Sequence, residues 1–503
     1  MPESLRKPTL DKDLDKLTTM EMAAESVSQR VVAPGLAILF VVICAIVSGA
    51  LVTGHQGAVV IVAAAVVGAY MALNIGANDV ANNVGPAVGA RAMKLGTALV
   101  IAAIFESAGA LIAGGDVIGT ISKGIISPEA VNTPEVFISA MLAALVSSAL
   151  WIHLATWLKA PVSTTHSIVG GVMGSGIAAA GISAVQWTTM GSIALSWVIS
   201  PLLGGVIAAA FLAFIKTAII YREDKISAAV RWVPVLIAVM TGAFSAYLAI
   251  KGLKSLVEIT LTLALVIGLG TGVLAWIISR PLIRRQARGL ENRNQSLRKL
   301  FALPLVFSAA LLSFAHGAND VANAVGPLAA IVHTAELGEV ASKVSIPLWV
   351  MAVGAFGISL GLVLFGPRLI KLVGNEITKL NPMRAYCVAL SAALTVIAAS
   401  ALGLPVSSTH IAVGAVFGVG FFREWYTARS QRRADYVAMR SETNGNGSTP
   451  KTTSKRASAD DQRRRFLVRR AHFLTIVAAW LITVPAAAIL SGVLFAVFRA
   501  VFS

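Results

Sequence analysis

The sequence predicts an all-α polytopic membrane protein made of two inverted repeats, with broken helices and two re-entrant hairpins. Three observations carry that prediction. Of 503 residues, 56% are hydrophobic and 13% charged, about half the charge of an ordinary soluble chain, and the mean hydropathy is +0.79. The apolar residues lie in uncharged runs long enough for a hydrocarbon core of roughly 30 Å. Two strings recur in the same order at nearly the same offset.

In chain order, residues 1–33 form a mixed-charge leader that faces the cytoplasm, and 34–54 an extra leading span. That first apolar run is long enough to cross and follows no cleavable pattern, so it is not a signal peptide. The first repeat occupies 55–214, with spans near 58–90, 97–114 and 188–214. Connecting spans at 231–249 and 256–279 and a basic linker complete 215–299. The second repeat, 300–422, has spans near 300–332 and 345–366. A basic cytoplasmic loop follows at 423–470, and 471–503 holds a last span. Within the loop, 441–462 (SETNGNGSTPKTTSKRASADDQ) is polar and free of aromatic residues, and is expected to be disordered. Two more apolar stretches, 137–180 and 386–422, are interrupted by Pro, Ser and Thr. Irregular backbone at membrane depth must be buried in protein or line a cavity.

Charge sets the orientation. The formal charge is +17, from 41 Lys+Arg against 24 Asp+Glu, and twenty of the 41 fall in 280–299 and 423–470. Basic loops beside spans follow the positive-inside rule, which removes the need for a nucleic-acid partner. Arg91 with Lys94, Lys216–Arg231, Arg280–Lys299, Arg368–Arg384 and the chain from Arg423 onward all carry such charge. If all five are cytoplasmic, both interrupted stretches start and finish on one side, so both are re-entrant. Nine full crossings remain, with Lys251 and Lys254 outside. Cys44 and Cys387 lie in apolar segments without metal-ligand spacing.

The duplication is specific. GANDVANNVGP at Gly76–Pro86 returns as GANDVANAVGP at Gly317–Pro327, and PVSTTH at Pro161–His166 as PVSSTH at Pro405–His410, at offsets of 241 and 244 residues. By parity the two GAND segments cross in opposite directions, so the repeats are inverted, as in many secondary transporters. Asp79 and Asp320 are intramembrane carboxylates, expensive by at least about 2.5 kcal/mol and a sign of function. Flanked by Asn78 and Asn82, and by Asn319 and Asn323, they make an oxygen-rich site for sodium, or for a proton held on Asp. Freed helix carbonyls are expected to add to it. Ser163, Thr164, Thr165, Ser407, Ser408 and Thr409 follow a proline that opens a helix. Hydroxyls and free N–H groups there form an anion site at the positive dipole end. Glu106 is a third intramembrane carboxylate, without an acidic counterpart in the second half, and either carries a coupling ion or pairs with Lys123 or a hydroxyl. His166, His316 and His410 are read as hydrogen-bonding groups beside the site, and the glycines of 170–176 as helix-packing positions.

The duplicated GANDVAN and PVS[ST]TH strings resemble those of the inorganic phosphate transporter family, over roughly 58–422. The resemblance implies import of phosphate by symport with H⁺ or Na⁺, with alternating access and no cofactor beyond the coupling ion. It further implies phosphate oxygens on the two hydroxyl clusters, and Asp79, Asp320, Asn82 and Asn323 holding the ion, Na⁺ possible at Asp79 and Asp320, and shaping the phosphate pocket. Glu106 matches a family glutamate. A second glutamate that some sodium-coupled relatives carry corresponds to Ala389 here, which leaves the coupling ion open. A plasma-membrane location and a homodimer complete the expectation. Sulfate transport is the alternative, yet sulfate has no proton to give a carboxylate while phosphate does. A prenyltransferase-like enzyme would need several carboxylates for magnesium where each string has one, and a passive channel has no need of opposed hairpins.

Overall fold

A computed structural model of the chain describes residues 31–429 and 470–502, apart from 56, 128–129, 132, 159, 161, 253–258, 341–344 and 377–379. The segment 441–462 and Lys254 lie outside the described residues. Everything described is helix, short connections and one isolated bridge. The helices are α1 (Val31–Leu51), α2 (Ala58–Gly89), α3 (Leu95–Ala113), α4 (Gly115–Lys123), α5 (Pro134–Trp157), α6 (Thr164–Ala180) and α7 (Trp187–Ile215). They continue with α8 (Lys225–Gly252), α9 (Leu261–Ala287), α10 (Asn294–Leu300), α11 (Ala302–Asp320), α12 (Ala322–Leu337), α13 (Leu348–Glu376), α14 (Pro382–Ala401), α15 (Ser408–Arg429) and α16 (Arg470–Phe502). Among the described residues, eleven segments are long and apolar enough to cross a membrane, α11 and α12 counting as one. Nine match the crossings read from the sequence, and the other two, α5 and α14, open the interrupted stretches.

The starts of these helices are written locally. Pro134 and Pro382 sit in the first turns of α5 and α14, where a missing N–H costs nothing. Asn381 caps α14 by accepting from the Arg384 N–H at 3.0 Å. Ser163 and Ser407 cap α6 and α15, accepting from the His166 and His410 N–H groups at 3.1 and 3.2 Å.

Each interrupted stretch folds back on itself. Before α5, the Ser127 N–H donates to Ala184 O, and the Gln186 N–H to Ile125 O, at 2.8 and 2.9 Å; thus the start and finish of the first hairpin touch. In the second, α14 and α15 pack on each other. The tips of the two hairpins meet, the Thr165 hydroxyl donating to Val406 O at 3.0 Å.

The halves exchange helices. α6 of the first packs on α16, the last span, which stands to the second hairpin as α7 does to the first, and α15 of the second packs on α7 of the first. Glycines permit both approaches: a Cβ at Gly174 would stand 2.1 Å from Ala488 O, and one at the equivalent Gly418 2.1 Å from Gly205 O. α2 packs likewise on α13, and α11 on α3. Gly57 lies against Ala335 and Gly68 against Leu328, so α2 runs antiparallel to its counterpart α11–α12. On a two-fold axis a residue meets its own equivalent, and two such meetings occur. Ser107 and Ser359 are hydrogen-bonded at 2.7 Å, and the His166 and His410 rings lie edge to face at 4.3 Å. Each of these histidines is backed by an equivalent tryptophan, Trp197 or Trp480.

One expectation is corrected. The GAND strings do not break their helices: α2 is continuous through Gly76–Pro86, and only Val321, itself helical in backbone angles, separates α11 from α12. The glycines serve helix contact instead, a Cβ at Gly76 or Gly317 falling 1.9 or 2.1 Å from the carbonyl of Ile358 or Glu106. Within these helices Pro86 and Pro327 have no N–H to give, so the Asn82 and Asn323 carbonyls are freed from the helical ladder while the helices continue, and the irregular backbone is confined to the hairpin tips.

Candidate functional site

Asp79 and Asp320 are each 1% exposed, and both are reached from the hairpin tips. Thr164, first in α6, donates to Asp79 Oδ2 at 2.9 Å, and the equivalent Ser408, first in α15, donates to Asp320 Oδ2 at 3.0 Å. Thr409 crosses to the other half and donates to Asp79 Oδ1 at 3.0 Å. The carboxamides complete the crossing: Asn82 donates to Thr409 at 2.8 Å, and Asn323 to Thr164 and Thr165 at 3.2 Å each. One cluster thus joins both GAND strings and both hydroxyl strings. Ser163 and Ser407 are beside it, buried, with their hydroxyls used as caps.

Asn78 and Asn319 stand one residue before the carboxylates and brace the hairpins. Asn319 donates to Ser400 Oγ at 2.9 Å and to Leu404 O at 3.2 Å, and accepts the Val406 N–H at 3.2 Å. Asn78 lies 2.9 Å from the equivalent Thr156 Oγ1. With its amide turned over, it donates to Val162 O and Asp79 at 3.3 Å, the same grip on the first hairpin.

The described partners of Glu106 are neither Lys123 nor a hydroxyl. Its Oε1 accepts from Asn83 Nδ2 at 2.6 Å and lies 3.2 Å from His316 Nδ1. The other imidazole nitrogen is 2.9 Å from Asp320 Oδ2 and 3.8 Å from Asp79 Oδ2. His316 is therefore within the carboxylate cluster rather than beside it, in contrast to His166 and His410, which lie against tryptophans. A neutral imidazole has one donor, so it can donate to Glu106 or to Asp320 but not to both. The signal was in the repeat itself. At the 241-residue offset the counterpart of His316 is Ile75. Gly109 meets Phe314 O as Gly361 meets Leu73 O, which makes Ile358 the counterpart of Glu106. An ionisable pair in one half thus corresponds to an isoleucine pair in the other.

Several acceptor oxygens here have no donor among the described residues: Asp320 Oδ1, Glu106 Oε2, Asn83 Oδ1 and Asn323 Oδ1. Ligand atoms of Asp79, His316 and Asp320 lie within 4.8 Å of one another. Buried oxygens without donors suit a cation, and hydroxyls at two helix starts suit an anion.

A family model described as the phosphate transporter family (PHO4) matches residues 75–491, both string pairs included. The chain belongs to this family. A Helicobacter pylori (strain J99) protein named as a phosphate permease is 45% identical over 524 aligned positions, covering 96% of this chain and 98% of that one. A Chlamydia trachomatis relative of the same name is 36% identical, covering 86% and 97%. Among solved structures, a sodium-dependent phosphate transporter superposes with a TM-score of 0.75 at 33% identity, over 88% of this chain and all of that one. These relatives are named for transport, not catalysis, and the chain is an integral, multi-pass membrane protein of the phosphate transporter family.

Proposed function

We propose that this family member imports phosphate by symport with a cation, H⁺ or Na⁺, with access alternating about the buried cluster. The observation that carries the reading is the set of hydroxyl-to-carboxylate bonds from Thr164 and Thr409 to Asp79 and from Ser408 to Asp320. A hydroxyl has one proton to donate. When it turns to a phosphate oxygen, the carboxylate it served is left buried and uncompensated, and a cation must follow. Anion and cation are thereby linked through shared donors, which is the requirement for symport. The antiparallel, helix-exchanged halves and the meeting of the two hairpin tips support inverted repeats about a central site.

The unpartnered oxygens, and the sodium dependence in the name of the similar solved structure, favour Na⁺. The carboxylate-flanked His316 favours H⁺. The experiment is uptake of labelled phosphate into proteoliposomes under a sodium gradient without a pH gradient, and the reverse, with sulfate as competitor. Accumulation under one gradient names the ion. Accumulation under neither, with phosphate only equilibrating, overturns symport, and equal competition by sulfate overturns the choice of anion.

A further inference from the structure

At the end of the bundle that carries the basic loops is a cavity of about 650 Å³ whose lining includes Arg91, Arg298, Lys299 and Arg384. Three separate segments supply these cations: the turn after α2, the α10–α11 junction and the start of α14. Among the described residues none of the four is in an ion pair with a carboxylate. Among the described residues the one side-chain bond of Arg384 is to Asn381 Oδ1 at 3.1 Å. Arg91 adds a second, independent sign. It is the only non-glycine described residue with positive φ, 58°, and it stands where a helix ends in a Schellman turn, with Ala92 N–H on Ala87 O and its own N–H on Val88 O, both 2.9 Å. Glycine is the favoured residue there. An arginine held in that backbone state, on the wall of a cavity lined by three other cations, is strain at a site that lacks its counter-charge.

We propose that this cavity is a second anion site, taking a phosphoryl group. Arginines form two parallel bonds to such a group, and the volume is that of an ordinary ligand pocket. It is separate from the central cluster, since Gly89 at its wall lies ten residues, ~15 Å along the helix, beyond Asp79. Two sources share the chemistry: free phosphate, and the headgroup of an anionic phospholipid, whose glycerol would lie on the Leu380 and Pro382 side.

The test uses the purified full chain with Ser408→Ala/Thr409→Ala, which removes the second hairpin's hydroxyl donors to Asp320 and Asp79 and so weakens the central site. It compares that protein with the same chain carrying Arg298→Gln/Arg384→Gln or Arg91→Gly, the latter relieving backbone strain and so safe for folding. Inorganic phosphate is titrated by calorimetry, and phosphatidylglycerol retained after detergent washing is counted by native mass spectrometry against phosphatidylcholine. The expected result is a tenfold or greater loss of one ligand in both variants, with Arg298→Lys/Arg384→Lys, which keeps the charge but not the paired bonds, falling between them and the parent. Loss of phosphate alone identifies the free anion as the source, and loss of phosphatidylglycerol alone the lipid. Unchanged binding of both ligands in the Arg91→Gly and Gln variants overturns the site.

Discussion

Asp79 is the residue on which both hairpins converge, through Thr164 and Thr409. Replacing it by Asn keeps the shape and removes the charge that balances a cation. Asp79→Asn and Asp320→Asn are expected to insert and fold, yet to lose gradient-driven accumulation of labelled phosphate; normal accumulation in both would make these carboxylates structural. Asn319 has a different duty. Asn319→Ala leaves the buried Val406 N–H without its acceptor, at about 1–3 kcal/mol. A lowered thermal midpoint is therefore expected, and an unchanged one would show that the second hairpin does not need this brace. The residue types at these positions were legible in the sequence. Their division of labour was not, because Asn78 and Asp79 are chain neighbours that point to different partners.

Between elements, the helix exchange rests on glycine. A side chain at Gly174 has no room before Ala488 O, so α6 and α16 must part. Gly174→Val is expected to destabilise by at least about 1–3 kcal/mol, as overpacked contacts do. Gly270→Ala is its control: nothing lies within 4 Å of that Cβ, and alanine improves helix propensity by about 1 kcal/mol. Differential scanning of the two variants checks this. Equal midpoints would remove the close approach from the account of stability. A glycine run announces close packing in a sequence, but not which helix comes close, since Ala488 is 314 residues from Gly174.

For the whole molecule, the basic segments gather at one end. Lys216 lies over the Phe422 and Tyr426 rings, and the Lys225 N–H bonds Asn292. At the other end of α8, Lys251 pairs with Asp116. Cysteines introduced at Ser127 and Ser345 are therefore expected to label from outside the cell and one at Gly289 from inside. Both native thiols are buried, so background labelling is low. Labelling of position 127 from the cytoplasm would break the topology on which import by inverted repeats depends.

The sequence by itself determined the membrane class, the spans to within a few residues, the duplication and nearly every polar group of the central cluster. Each of these is a local or periodic property: a run without charge, a recurring string, a hydroxyl after a proline. Tertiary structure alone decided what those groups touch. It kept the GAND helices continuous, because Gly76 and Gly317 are used against neighbouring backbones. It also sent Thr409 across to Asp79, and put His316 among carboxylates from α2, α3 and α11. Such contacts join residues up to 330 positions apart. They follow from how two similar halves interlock, which no window along the chain contains.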